Sequence, residues 1–417
     1  MKQSALFTKT RRSAPAGEEA KNASLLIRAG FIHKESAGVY AMLPLGLRVL
    51  SRISELIRSH MNGIGGQEVL LTALQDQEVW KKSDRWDSKS VDVWFKTVLN
   101  NKTEMGLGFT HEEPLTELLT NHIQSYRDLP AFVYQIQHKF RNELRAKSGM
   151  LRGREFLMKD LYSFVRNPEE HNAFYEKITE VYRKIFDEVG IGKHTFFTFA
   201  SGGSFSKYSH EFQTISDAGE DVIFLDRDKG IAINKEVYTE AVAQELGLDP
   251  EKITEEKSIE VGNIFSLGTR FSEALNLSFV DEKGVRRPVI MGSYGIGVTR
   301  IMGVVAEVLG TEKSMVWPKR IAPFSLHLIS LGNDEVVQRK AVELYEKLGG
   351  DQGSVLFDDR DCPPGEKFAD ADLIGIPFRA IVSEKTLRKE SVEFFDRLQD
   401  QKSIVPYQVF LDQFLDH

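Results

Sequence analysis

Apolar positions along the chain repeat with two periods, and the changes of period divide it into elements. Residues 18–30 (EEAKNASLLIRAG) predict a short helix closed by Gly30. Within 38–62, Pro44 can open a helix, and Leu47, Leu50, Ile53 and Ile57 follow at helical spacing. Residues 68–74 (EVLLTAL), 132–137 and 155–165 read as strands, and 169–189 as a long helix. Residues 221–260 hold a short acidic helix and charged turns, which predict a connecting excursion and not a domain. Core-like composition returns at 261–275, and 288–310 predicts a strand, a glycine turn and a buried helix. The two prolines of 317–325 mark a linker. Beyond it the order is strand, helix, strand, helix, strand, strand, helix, which predicts a separate α/β domain over 319–417.

Composition narrows the class. The 417 residues are 41% hydrophobic and 28% charged, with no apolar run of membrane-span length and no signal-peptide core. The first sixteen residues carry Lys2, Lys9, Arg11 and Arg12 without an acid, a faint likeness to a transit peptide. The single cysteine, Cys362, excludes a disulfide framework and a thiolate metal cluster, and is compatible with a reducing cytoplasm. A net charge of −7 means that any RNA contact comes from local basic patches. One candidate lies between His138 and Arg154, where Lys139, Arg141, Arg145, Lys147, Arg152 and Arg154 face Glu143 alone.

That patch lies in FRNELRAKSGMLRGREFLMKDLYSF, 140–164, read as strand, basic turn and returning strand. On a strand, Arg141 and Glu143 share a face, with Phe156 on the returning strand. A forked guanidinium suits a phosphate, a carboxylate suits an exocyclic amine, and an aromatic ring can stack on a base. A solvated cross-strand salt bridge is the alternative. In GSYGIGVTR, 292–300, the glycines suggest backbone passing close to a ligand, but Arg300 stands where a dinucleotide fingerprint has its third glycine. No phosphate loop ending in Gly-Lys-Ser/Thr is present. Arg300 lies among Val298, Ile301, Met302 and Val304 and needs an anionic or π partner, or pairs with a nearby acid. The run Thr110-His-Glu-Glu, taken alone, reads as a helix cap with first-turn acids. Ser209-His-Glu-Phe has the look of a metal site but lacks neighbouring Cys or His ligands.

Segments 38–74, 140–164 and 288–303 resemble, in order, motifs 1, 2 and 3 of the class II aminoacyl-tRNA synthetases. FTHEEPLT (109–116), RGREFLMKDLYSF (152–164), SHEFQ (209–213), GNIFSLGTRFSEAL (262–275) and GSYGIGVTRIMG (292–303) are similar to the prolyl-tRNA synthetases of bacterial type. LFDDRDCPPGEKFADADLIGIPFRAIV (356–382) resembles the anticodon-binding domain of that family, and the likeness runs from Leu6 to Leu415.

The resemblance implies an α+β class II catalytic core at 1–318, an antiparallel sheet flanked by helices with a short connection at 221–260. An α/β anticodon-binding domain follows at 319–417. It implies a cytoplasmic homodimer that uses ATP, Mg²⁺, L-proline and tRNA(Pro), with no membrane partner. Arg141 would hold the α-phosphate and the amino-acid carboxylate, Glu143 the adenine amine and Arg152 the γ-phosphate. Phe156 and Arg300 would sandwich the adenine, Gln213 would meet the ribose and Glu211 magnesium. Thr110 and Glu112 would receive the ring nitrogen of proline, with His210 lining the same pocket. Arg145 would touch the tRNA acceptor end or remain a solvated turn arginine; Asp359 and Arg360 would face anticodon bases or cap a turn.

The chain departs from many relatives in one respect. About eighty residues separate His210 from Gly292, too few for an inserted editing domain of typical size. The resemblance is therefore to the short members, with clearance of misacylated tRNA left to a free-standing hydrolase. A zinc-like C-terminal extension of archaeal and eukaryotic type is not expected either. Two other readings are a non-catalytic synthetase relative, which would lose Arg141, Arg152 and Arg300, and a threonyl-tRNA synthetase, which would need a Cys-His-His zinc site in its core.

Overall fold

Proline has no amide hydrogen to leave unbonded in a first helical turn, and the helix Pro44–Gly63 begins on it. In the computed structural model, which describes residues 1–202, 207–332 and 334–415, the buried stripe of this helix is Leu45, Val49, Leu50, Ile53, Leu56, Ile57 and Met61. Leu47, expected in that stripe, is 54% exposed, because it is two residues from both Leu45 and Val49 and so faces the other way. The helix Lys21–Arg28 stops before Gly30, which takes the left-handed φ of 76° that ends a helix. Of the strand expected at 68–74, Glu68 pairs, with Gln67 before it, in parallel with Val133–Tyr134, and Leu74 opens a separate short strand, Leu74–Asp76, that pairs with Glu104–Leu107. The chain then leaves the sheet and Leu70 is exposed, so apolar composition overstated the strand.

The chain divides into two compact units. One comprises Ser36–Val39 and Ile53–Val304; the other comprises Met1–Glu35, Tyr40–Arg52 and Val305–His417. Residues 1–35 and 305–318, read in sequence with the catalytic domain, thus fall in the second of these.

The unit centred on Ile53–Val304 is built on a nine-stranded, mostly antiparallel sheet. Its order is Tyr208–Ile215, Thr195–Ser201, Ile231–Asn234, Asp221–Asp226, Ile253–Gly268, Ile290–Gly297, Glu155–Val165, Ala131–Phe140 and Gln67–Glu68. Strand Tyr208–Ile215 also pairs with Ile253–Gly268. Residues 221–260 are therefore no excursion: they contribute two interior strands and the start of a third, with the helix Glu240–Glu245 between. Their buried residues Ile223, Leu225, Ala232 and Ile233 are too few and too widely spaced to announce strands among so many charges. A core of Leu115, Leu119, Val133, Tyr162, Phe164, Phe271, Phe279 and Met291 packs on the motif 2 and motif 3 strands.

In the other unit, Leu326–Ser330 lies between the parallel strands Val355–Asp358 and Phe378–Val382, and Ser391–Asp396 and Gln401–Pro406 extend the sheet antiparallel. Gln401–Pro406 was not expected, since this edge strand is almost wholly exposed and shows no apolar alternation. Residues 317–325 are not an open linker. Trp317, Ile321, Ala322 and Phe324 are buried, Trp317 packs on Phe31 at 5.3 Å, and the Arg48 guanidinium lies 4.0 Å from the Phe324 ring centre. The N-terminus joins the same unit: the Met1 ammonium donates to the Val355 carbonyl, and Ser4 donates to Asp359. No helix among the described residues is long and apolar enough to cross a membrane.

Candidate active site

Strands Ala131–Phe140 and Glu155–Val165 pair from Ala131↔Phe164 to Phe140↔Glu155, and there the first strand ends. Arg141 and Glu143 consequently lie in the connecting loop and not on a strand face as expected. The loop is held by its own backbone: Arg141 N–H donates to the Arg154 carbonyl at 2.8 Å, Glu143 N–H to the Arg141 carbonyl at 2.7 Å, and Arg154 Nε to the Glu143 carbonyl at 3.1 Å. The Arg141 guanidinium sits 5.3 Å from the Phe156 ring centre. Arg141 and Glu143 line two cavities at once, one of 340 Å³ and one of 240 Å³.

The first cavity brings together Thr110, Glu112 and Arg141. The Thr110 hydroxyl lies 2.8 and 2.7 Å from the two Glu112 oxygens. Thr110 does not cap the helix Glu112–Leu119; His111 occupies that position, and its side chain makes no capping bond. The first-turn acids are there, however, as Glu112 and Glu113. Arg85, which sequence reasoning missed, reaches Glu113 at 3.0 Å and Glu112 at 3.4 Å and lies over the rings of Trp80, Phe109 and Phe271. Burial pushes the Glu113 carboxyl up to about 7 against the pull of Arg85, and Ser83 donates to it at 2.7 Å. Beneath the floor, Lys139 is fully buried, 2.8 Å from Asp160 and 2.7 Å from His111 Nδ1, so it is no part of a surface patch. Gly295 closes one wall, where a Cβ would come within 2.6 Å of the Met158 methyl and 2.8 Å of Asn263 Oδ1. The motif 3 glycines lie within the strand Ile290–Gly297 at ordinary φ, serving close approach and not the turn that was expected.

The second cavity joins Arg141 and Glu143 to Arg152 and Arg300. Arg152 bridges two acids, Glu143 at 2.8 Å and Glu220 at 2.5 Å. Arg300 Nη1 donates to the Glu260 carbonyl at 2.6 Å and lies 3.4 Å from its carboxylate. Burial and then the Arg300 charge hold Arg141 below the usual arginine range. Gln213 is buried and donates to Glu211 at 2.9 Å and to Asp221, a wall residue, at 3.0 Å. Burial followed by the Glu260 charge pushes Glu211 up to about 8. Among the described residues no three His, Cys, Asp or Glu side chains converge as a metal cage.

His210, expected in the amino-acid pocket, lines neither cavity. Its ring stacks on Phe197 at 4.6 Å. Tyr175 donates its hydroxyl to the Ile264 carbonyl and accepts from Nδ1–H at 2.5 Å. Burial depresses His210 to about 4 from 6.5. The unfolded chain therefore binds a proton that the native ring refuses, and stability present above pH 6.5 is lost as pH falls towards 4, by up to about 3 kcal/mol from this residue. Urea unfolding at successive pH values is expected to show this acid limb, with a shallower slope in His210→Gln.

Arg145 is exposed on the motif 2 loop. In the other unit Arg360 is committed to Asp358 and Asp370, both at 2.8 Å, and Asp359 to Ser4. Sequence reasoning also missed Asp160, Tyr162, Glu260 and Asn263. Asp160 and Tyr162 lie inside the quoted motif 2 segment, where alternation along the strand Glu155–Val165 aligns them with Phe156 and Met158. Arg85 gave no periodic signal; a charge flanked by Trp80 and Trp86 was the only clue.

Residues 94–309 match the family described as the tRNA synthetase class II core domain (G, H, P, S and T), and 325–417 match the anticodon binding domain. The chain is 34% identical to a proline–tRNA ligase of Rickettsia canadensis, covering 94% of this chain and 92% of that one. It is 35% identical to that of Acidiphilium cryptum, covering 97% of each, and 32% identical to that of Bacillus cytotoxicus, covering 92% and 94%.

Proposed function

The chain belongs to the proline–tRNA ligases, class II synthetases with an anticodon-binding domain, and from that membership we infer how its residues divide the reaction. The activity is ATP-dependent activation of L-proline and transfer of the prolyl group to tRNA(Pro). One observation carries the assignment of the site: two adjoining cavities share Arg141 and Glu143, one walled by Thr110 and Glu112, the other by Arg152 and Arg300.

In this reading the ring ammonium of proline donates to Glu112 and Thr110, which places its carboxylate at Arg141. A proline carboxylate oxygen attacks the α-phosphorus of ATP in line, the bond to the β-phosphate oxygen breaks, and diphosphate leaves. Arg141 and Arg300 stabilise charge developing around phosphorus, and Arg152 holds the terminal phosphate. A terminal ribose hydroxyl of tRNA(Pro) then attacks the prolyl carbonyl and AMP departs. Little proton transfer by the protein is required, so positioning and electrostatics carry the rate. Phe156 offers a stacking face for adenine and Glu143 an acceptor for its amine; Arg152 must release Glu143 for that bond to form. The crowded carboxylates fit a hard divalent cation: Glu211 and Glu260 would hold Mg²⁺, with phosphate oxygens and water completing its shell. Bound there, the ion would neutralise charge on the phosphates. Gln213 stands by Glu211 as the ribose partner, Arg145 meets the acceptor end, and His210 shapes the pocket from behind. Asp359 and Arg360 meet anticodon bases, their internal pairs holding the strand end in place. The setting is the cytoplasm.

ATP–diphosphate exchange with a panel of amino acids tests the substrate. Proline alone at low concentration is the expected result; exchange with threonine and not proline would overturn it.

The protein is also proposed to act as a two-fold homodimer through motif 1, where Leu47 presents an exposed apolar side chain three residues into the helix Pro44–Gly63. Light scattering at micromolar concentration is expected to give twice the chain mass, and Leu47→Asp to shift the population towards monomer with loss of activity. A fully active monomeric wild type would contradict this.

A further inference from the structure

In the unit that contains the anticodon-binding match, a groove of 930 Å³ runs between the N-terminal segment and the helix Pro364–Ile374. Four cations line it: Arg11, Arg12, Arg28 and Lys313. Arg11, Arg12 and Lys313 are exposed, and their side chains make no hydrogen bond or ion pair among the described residues. Arg28 donates through Nη1 to the Glu312 carbonyl at 2.9 Å, while its buried Nε has no partner.

The acids on the groove wall do not cancel this charge. Asp370 accepts from Arg360 at 2.8 Å and from Thr10 at 2.6 Å, and Asp372 pairs with Arg379 at 3.0 Å and Arg397 at 3.6 Å. Their countercharges stand outside the groove lining, which leaves Glu366 as the single acid set against four cations. On a chain of net charge −7, these exposed cations form a local positive patch that can draw in an anion although the chain as a whole repels one.

We propose that this groove holds backbone phosphates of the tRNA on its anticodon side, an inference that rests on the tRNA-ligase reading above. The volume is far larger than one phosphate needs, and the free donors sit on long, exposed side chains. That is the arrangement of point charges that follow a polyanion, not of a closed pocket for a small anion. Interactions of this kind set register and on-rate and carry no sequence information. They bring the anticodon loop to the end of the strand Val355–Asp358, beside which Arg360 is held by Asp370, a wall residue of the same groove.

The test is tRNA(Pro) binding by the full chain across a salt series. Removing one phosphate-binding cation is expected to reduce the slope of log K against log salt concentration by about 0.9. Arg11→Gln, Arg12→Gln and Lys313→Gln combined should therefore flatten it by about 2–3 and weaken binding about tenfold or more at moderate salt. The weakening should be similar for unrelated tRNAs, and proline-dependent exchange should be unchanged. Glu366→Lys provides an opposite arm that does not rely on removing charge: tighter binding and a steeper slope. Unchanged affinity and slope in both variants, in an enzyme that charges tRNA(Pro) normally, would overturn the groove alone. A wild type that neither exchanges proline nor binds tRNA would overturn the reading on which it rests.

Discussion

Arg141→Ala is expected to lower the rate of proline-dependent ATP–diphosphate exchange by about 10²–10³-fold, and Arg300→Ala by a similar factor, each in a protein that remains folded. A preorganised donor aimed at charge developing in the transition state is worth about 3–4 kcal/mol. Arg141 is the one cation lining both cavities, so in the proposed reading its loss removes partners for the proline carboxylate and the α-phosphate together. The defect should therefore appear in kcat as well as in KM for both substrates. Arg300 borders only the second cavity, proposed for the nucleotide, and is already anchored to the Glu260 carbonyl. Its loss should spare KM for proline. Lysine is a poor substitute at Arg141, because an ammonium cannot present a planar fork to two anions. The Arg141 change should cost little stability: Arg141 makes a long side-chain bond of 3.4 Å to the Phe109 carbonyl, and burial beside Arg300 is a strain on it. Near-wild-type exchange in either variant, with the two KM values unmoved, would show the site to be misassigned.

How far these residues could be read from sequence depended on what kind of signal each gives. Arg141, Glu143, Arg152 and Arg300 lie close to periodic strands and helices, and the structure gathers them around one pair of cavities. The expectation that Arg141 and Glu143 share a strand face failed because pairing stops at Phe140↔Glu155, and periodicity cannot tell where a ladder ends. His210 alternates correctly along its strand, but its neighbours Phe197 and Phe199 come from an adjacent strand whose register is not a local property. Arg85 was invisible for the same reason: its partners Glu112, Glu113 and Phe271 are distant in sequence. The strands at 221–234 hid behind charge, because a short interior strand in a wide sheet needs few apolar residues of its own. The exposed Leu47 ran the other way, an apolar residue that periodicity assigned to the core and the fold left outside.

Alanyl-tRNA(Pro) offered to the purified enzyme is expected to persist as it does in buffer alone. Alanine is smaller than proline and, in the proposed reading, offers an ammonium to Glu112 and a carboxylate to Arg141, so the pocket cannot exclude it by size. Each missing methylene provides only about 1–3 kcal/mol of discrimination. Some alanyl-adenylate should therefore form, and some should reach tRNA. Clearance would require a second site that admits alanine and rejects proline. The segment between motifs 2 and 3 is the place to look for it, and its strands Tyr208–Ile215, Asp221–Asp226, Ile231–Asn234 and Ile253–Gly268 are all spent on the central sheet. The Bacillus cytotoxicus relative aligns over 535 positions, more than the 417 residues of this chain, so it carries segments with no counterpart here. The Rickettsia canadensis relative aligns over 406 and is of this shorter kind. A separate hydrolase acting on the released alanyl-tRNA(Pro) is thus proposed as the partner that maintains fidelity. Deacylation measured against a no-enzyme control decides the point. Hydrolysis clearly above that control would place an editing activity within 214–291, and the argument from the structure of that segment would fall.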